Sequence, residues 1–201
     1  MARTLVIFAH PALEKSRINA RLVRDLPQLE QLTFHDLYEA YPDFHIDVKR
    51  EQQLLSAHEI IILHHPMYWY SSPALLKQWE DLVLEHGWAY GSTGTALHGK
   101  TTVHVITTGG SSMTYDKAGL HGHTIREFLL PFEQTARLCG MLYLPPYLIQ
   151  GSHRLSDEEI EQYAAGYYHL LEMLATDAVD VQAALKLQSL NELVTPETNT
   201  R

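Results

Sequence analysis

The sequence has one cysteine, Cys139, so it can form neither an internal disulfide nor a Cys-x-x-Cys redox motif. It also lacks a basic cluster. Its 15 Lys and Arg stand against 24 Asp and Glu, for a net charge of −9. That balance argues against nucleic acid or an anionic membrane face as a direct partner. Long hydrophobic runs are missing too. Leu5–Ala9 is too short for a signal peptide, and no run approaches the roughly 20 residues of a membrane span. A soluble cytoplasmic protein with no direct membrane insertion is expected. Among the 13 histidines there is no His-Glu-x-x-His and no Cys/His set, so no metal site is expected. Cys139 sits among Ala136, Leu138 and Met141, as an inert core thiol would.

What is present fits one globular domain. The chain has 201 residues, 45% of them hydrophobic, with length to spare for a tail. Leu5–Ala9 reads as a strand covered on both faces, stopped by His10-Pro11. A polar loop follows, then a helix over about 17–26 with Ser16 as N-cap. A short strand is expected over 31–35, a loop over 36–47, a helix over 48–57 and a strand over 59–64. Pro73 suits a first helical turn, with Ser71 or Ser72 as its cap. From there Leu75, Leu76, Trp79, Leu82 and Val83 form a helical stripe. Thr101–Ile106 reads as the fourth strand. The segment 124–140 reads as a helix that Pro131 kinks or divides, and 141–149 as the fifth strand. Ser156 and Glu159 form a capping box opening a helix to about Ala175. Residues 1–175 thus make the domain, and 176–201 an extension. The extension carries one amphipathic helix (Val181, Leu185, Leu187, Leu190) and a frayed end.

Five strands alternating with helices make a doubly wound parallel α/β sheet in three layers. Such sheets bind ligands beyond the strands' C-terminal ends, at the switch point of strand order. For the order 2-1-3-4-5 that crevice is built from the loops after strands 1, 3 and 4. Here these are 10–19, 65–72 and 107–115, the three stretches of most unusual composition. The first precedes a helix start, where free amides and the helix dipole favour an anion. No Gly-x-Gly-x-x-Gly follows the first strand, so a single phosphate fits better than a dinucleotide. The second carries Tyr68-Trp69-Tyr70, aromatics that suit a flat ligand with polar edges. Alone, they suit a core or subunit contact slightly better than a ligand. The third, Thr107-Thr108-Gly109-Gly110, lets main chain approach a ligand closely. Together the loops describe a site for a flat heteroaromatic with one phosphate, and FMN is the natural candidate.

One string points elsewhere. Gly94–Thr101, GTALHGKT, matches the phosphate-loop pattern letter for letter. That pattern works only between a strand and the helix it opens, whereas here it runs directly into a strand. The match is read as chance.

Several spaced motifs carry a family resemblance. Ala9–Asn19 reads AHP-x4-S-x-x-N, His65–Trp79 reads HPMYWYSSPALLKQW, Gly87–Lys100 reads GWAYG-x-x-GTALHGK, and Thr107–Gly110 reads TTGG. These resemble the flavodoxin-like NAD(P)H:quinone oxidoreductases. Tyr41-Pro42-Asp43-Phe44 with Ile46-Asp47 adds similarity to the bacterial ancillary proteins of glutathione-regulated potassium efflux systems. The resemblance implies a flavodoxin-like fold and a homodimer with FMN near the subunit interface. It implies that His10, Ser16, Arg17, Ile18 and Asn19 hold the phosphate and ribityl chain. Pro66, Met67, Tyr68, Trp69 and Tyr70 would border the ring, and Thr107, Thr108, Gly109 and Gly110 would cover its other edge. Tyr115 and His121 match a catalytic pair that stabilises charge during hydride transfer. The implied activity is ping-pong, two-electron transfer from NAD(P)H through FMN to a quinone or another flat acceptor. The alternative is a regulatory subunit of a potassium efflux antiporter, which would bring the chain to the inner membrane through its partner.

Overall fold

The computed structural model describes residues 1–194. The frayed end expected for the last residues lies outside that range. Six strands form one parallel sheet: β1 (Thr4–Phe8), β2 (Leu32–Asp36), β3 (Ile60–Pro66), β4 (Thr101–Thr108), β5 (Leu142–Tyr143) and β6 (Tyr147–Gln150). Its order is β2-β1-β3-β4-β5, and β6 pairs with β4 further along. The expected fifth strand is thus two pieces. Pro145 and Pro146 stand between them, and a residue without an N–H cannot continue a ladder. The registers align the strand ends, with Phe8 opposite His64 and Pro66 opposite Thr107. The loops after β1, β3 and β4 therefore leave the sheet along one edge.

Alternation in the strands sends side chains to two cores. On one face Val6, Ile62, Val103 and Val105 meet α1 (Arg17–Arg24) and α7 (Asp157–Ala175) through Ile18, Leu22, Ala164 and Tyr167. On the other, Leu5, Ile7 and Ile61 meet α3 (Val48–Ala57) and α4 (Ala74–Val83) through Leu55, Leu75, Leu76 and Trp79. Burial on both faces is why these strands read as continuous apolar runs. Cys139 is buried in this second core, and burial raises its thiol pKa.

Three local expectations change. The segment after β2 contains α2 (Leu37–Ala40), because Asp36 Oδ1 accepts from the amides of Tyr38 and Glu39 at 2.9 and 3.3 Å. Neither Ser71 nor Ser72 caps α4. Pro73 is the N-cap, its carbonyl accepts from the Leu76 and Lys77 amides, and the Ser72 hydroxyl is buried without a partner. The tail helix is two short pieces, α8 (Val181–Ala184) and α9 (Asn191–Val194). Asn191 brackets Leu148 on the outer edge of β6, accepting from its amide at 2.8 Å and donating to its carbonyl at 2.9 Å. This covers a sheet edge that would otherwise offer unpaired backbone groups.

The helix over 124–140 divides into α5 (Ile125–Phe128) and α6 (Leu130–Leu138), with Pro131 in the first turn of α6. The capping box on α7 is formed: Ser156 Oγ accepts from the Glu159 amide, and the Glu159 carboxylate accepts from the Ser156 amide.

Candidate functional site

A cleft of about 420 Å3 opens at the C-terminal edge of the sheet. It is lined by His10, Ala12, Lys15, Ser16, Arg17, Ile18 and Asn19 from the first loop and α1. Pro66, Tyr68, Thr107, Thr108 and Gly109 follow from the loops after β3 and β4, and Ser152 and His153 from the segment after β6. Among the described residues no carboxylate lines it, although the sequence carries 24 Asp and Glu. Lys15 and Arg17 do. On a protein of net charge −9, Lys15 brings positive charge to the cleft, while the Arg17 charge is shared with Asp157.

Donors face the same space. Ser16 Oγ accepts from the Asn19 amide at 3.1 Å, capping α1. The amides of Arg17 and Ile18 have no acceptor among the described residues and point out of the helix start. His10 is only 6% exposed. Its Nδ1 accepts from the Ala12 amide at 3.1 Å, which leaves Nε2 as the protonated nitrogen on the cleft side. Burial lowers the His10 pKa, with Glu14 opposing, so the ring donates without carrying charge.

Asn19 has a role the sequence did not suggest. It is 2% exposed, and its amide nitrogen donates to Ser16 Oγ and Thr107 Oγ1, each at 3.0 Å. Its oxygen faces His64 Nε2 at 3.2 Å. One side chain therefore ties α1 to β3 and β4. His64 is fully buried, and burial first, then His65 and His10, pushes its pKa down to about 3. It is a neutral donor to Asn19. Burial likewise holds His65 down to about 4. His65 contacts the Pro66 carbonyl at 3.0 Å and His104 Nδ1 at 3.1 Å, forming a buried neutral pair against Phe132.

The second loop is a tight hairpin. Tyr68 and Ser71 exchange both backbone hydrogen bonds, at 2.9 and 3.0 Å. Trp69 and Tyr70 between them have φ of 48° and 64°. Two central residues with positive φ define the primed turn that glycine and asparagine normally supply. Bulky residues there cost on the order of 1–3 kcal/mol each, and such strain clusters at binding sites. The turn holds Trp69 93% exposed, and neither Trp69 nor Tyr70 is among the residues that line the cleft. Met67 turns the other way and packs in a third core with Ile106, Ile125 and Leu129.

Tyr115 and His121 come together beside that hairpin. Their rings are 4.7 Å apart, and Tyr70 lies 5.2 Å from His121 and stacks on Phe128 at 4.9 Å. Tyr115 lies over Gly110, where an added Cβ would meet its ring at 2.9 Å. Burial, then Tyr70, raises the Tyr115 pKa, keeping the phenol protonated at neutral pH. Arg17 is where the sequence put it, but its guanidinium is engaged with Asp157 at 2.6 Å and the Leu155 carbonyl at 3.4 Å. Lys117, in the loop after β4, faces Glu127 at 3.6 Å.

The phosphate-loop string lies away from all this. Lys100 Nζ donates to the His58 carbonyl at 2.6 Å and the Ser56 carbonyl at 3.2 Å, at the opposite ends of the strands. The residues missed were Ala12, Lys15, Ser152 and His153. The last two follow a strand directly, and the rule that loops beyond neighbouring strands share a crevice would have reached them.

A parallel α/β sheet of order 2-1-3-4-5 with its cleft at the switch point is a flavodoxin-like architecture. The family model described as flavodoxin-like fold matches residues 2–171, and the chain belongs to that family. The uncharacterized NAD(P)H oxidoreductase YrkL of Bacillus subtilis is 50% identical over 162 residues, 81% of this chain and 93% of that protein. The glutathione-regulated potassium-efflux system ancillary protein KefG of Serratia proteamaculans is 46% identical over 165 residues, 82% of this chain and 90% of its own. Among solved structures, general stress protein 14 of Treponema denticola, in complex with FMN, has a TM-score of 0.80 and 38% identity. That match covers 86% of this chain and 99% of the other.

Proposed function

We propose that the protein is an FMN-dependent NAD(P)H:quinone oxidoreductase. The observation that carries this is the cleft itself. It has donors and cations but, among the described residues, no carboxylate at the α1 start, Gly109 along one wall, and Tyr68 of the strained aromatic hairpin on another. That set fits a flat ring system bearing one phosphate. The relative named as an oxidoreductase and the neighbour solved with FMN support the reading. Residues 1–175 are the cofactor-binding unit, and 176–201 an extension, within which Asn191 covers the sheet edge.

In this reading His10, Ser16 and the amides of Arg17 and Ile18 hold the phosphate and ribityl chain, and Asn19 keeps those donors in register. Tyr68, Trp69 and Tyr70 border the ring with the main chain of Pro66 and Met67. Thr107, Thr108, Gly109 and Gly110 cover its other edge. FMN, when bound, supplies two-electron chemistry between NAD(P)H and a quinone, which take turns at one open face. Tyr115, kept protonated by burial, offers an uncharged hydrogen-bond donor where negative charge develops, and His121 stands beside it. Trp69 is too exposed to be left in water, and a second copy of the chain packed there would shelter it and complete a homodimeric site.

A second reading rests on the KefG relative: an ancillary subunit of a glutathione-regulated potassium efflux antiporter, at the inner membrane only through that partner. No helix among the described residues is long and apolar enough to cross a membrane. The two readings are compatible. NAD(P)H oxidation by the purified protein, with and without a quinone, tests the first. Co-purification with the cytoplasmic domain of the antiporter tests the second. Sedimentation tests the dimer. Purified protein that turns over no quinone at any NAD(P)H concentration would remove the enzymatic reading.

A further inference from the structure

We propose that Ser152 and His153 form a second jaw of the phosphate site, closing on the anion from the side opposite the α1 start. The inference rests on the FMN reading above and adds residues that reading does not use. The segment after β6 is fixed to the third loop by two backbone bonds. The Gly151 amide donates to the Gly110 carbonyl and the Ser152 amide to the Thr108 carbonyl, each at 2.9 Å. The Arg154 amide returns to the Gly151 carbonyl at 2.8 Å, making a turn that holds residue 153 at its corner. The His153 ring then lies over Gly109, its Nε2 only 3.1 Å from where a Cβ would stand. Any side chain at 109 would crowd that ring against the cleft.

The same segment is tied to the helix start. Arg17, the first residue of α1, reaches across to the Leu155 carbonyl and Asp157. Residues 152 and 153 therefore face the cleft within one short turn of the chain that grips α1. Neither the Ser152 hydroxyl nor the His153 ring has a hydrogen-bond partner among the described residues, and both line the cleft. Buried His10, with Nε2 on the cleft side, supplies an independent donor. Three elements thus present unengaged donors to one space, and no carboxylate of the described residues lines it. A phosphate takes several such donors at once, and hydrogen bonds to a charged group are the strong ones.

The test compares FMN with riboflavin, which has the ring and ribityl chain but no phosphate. Flavin-fluorescence titration of the flavin-free protein gives both dissociation constants for wild type, His153→Ala, His153→Gln and Ser152→Ala. Circular dichroism checks each fold. Wild type should bind FMN well ahead of riboflavin. His153→Ala should weaken FMN about tenfold and leave riboflavin unchanged, with His153→Gln recovering part of the loss. Ser152→Ala should show a smaller loss of the same kind. Unchanged FMN affinity in both alanine variants would overturn the jaw while leaving the FMN reading intact. Equal losses for FMN and riboflavin would overturn it as well, since the contact would then be to the ring. Wild type that binds neither flavin would remove the FMN reading and the jaw with it.

Discussion

Replacing Asn19 with alanine removes three hydrogen bonds at once: to Ser16 Oγ and Thr107 Oγ1 at 3.0 Å, and from His64 at 3.2 Å. His64 suffers most. Its Nδ1 already has no partner, and the substitution leaves the fully buried ring with none at either nitrogen. A buried polar group left unpaired costs about 1–3 kcal/mol, and a truncated side chain adds a cavity. Asn19 borders an open cleft, so water can enter and offset part of that. The net expectation is about 2–4 kcal/mol, or a melting temperature lower by about 5–15 °C for a chain of this size. Asn19→Asp separates bracing from charge. Its carboxylate still accepts from His64 and from two hydroxyls that can rotate to donate, but it sets a negative charge beside the anion site. It should lose less stability than the alanine variant and more FMN affinity. Differential scanning calorimetry and flavin titration measure both. An alanine variant that melts within about 1 °C of wild type would refute the brace, because the distances above would then carry no energy.

Acid should weaken the fold earlier than its carboxylates alone predict. His64 and His65 have native pKa values depressed by burial to about 3 and about 4, and burial also holds His104 well below its usual range. In the unfolded chain each protonates near 6.5. Stability from keeping them neutral is therefore full above about pH 6.5 and is lost as pH falls toward 4, with up to three protons taken up on unfolding. A urea midpoint that stays flat from pH 7 to 4.5 would contradict this. Glu51→Gln should cost about 1–3 kcal/mol, read from denaturant melts. Glu51 is 1% exposed and accepts from His35, Tyr41 and Trp79, at 2.9, 2.6 and 2.8 Å. A glutamine must turn its NH2 toward one of those donors. Burial pushes the Glu51 pKa up, but the three donors outweigh it and leave it lowered, so the carboxylate's contribution is lost only below the ordinary carboxylate range. Gly110→Ala should displace the Tyr115 ring, lowering quinone turnover at least tenfold with little change in melting temperature. Equal activity with the ring displaced would remove Tyr115 from the chemistry.

The sheet was legible because its central strands β1, β3 and β4 are buried on both faces and end at or shortly before Pro or Gly. Leu5–Ala9 and Ile60–His64 need no partner to be recognised. The fifth strand reads as one piece in the sequence because its apolar run continues across Pro145-Pro146, and hydrophobicity alone does not record a missing N–H. Likewise α2 was hidden in an aromatic stretch, its Asp36 cap outweighed by the Tyr and Pro around it. At the site, position was readable and bonding was not. Loop composition brought Ser16, Tyr68 and Gly109 to one rim. That Asn19 would be spent on His64 and Thr107, or Arg17 on Asp157, depends on residues 45, 88 and 140 positions away. Ser152 and His153 were passed over because nothing in Gly-Ser-His-Arg marks a ligand until the loop is seen beside Thr108.

The central claim is that three sheet-edge loops converge to hold a monophosphorylated flavin. The absorbance spectrum of the protein as purified, followed by mass analysis of the pigment released on denaturation, tests it most directly. The account predicts the two visible bands of oxidised flavin and a released species with the mass of FMN, close to one per chain. A colourless protein that takes up no added FMN, or a pigment lacking the phosphate, would contradict it.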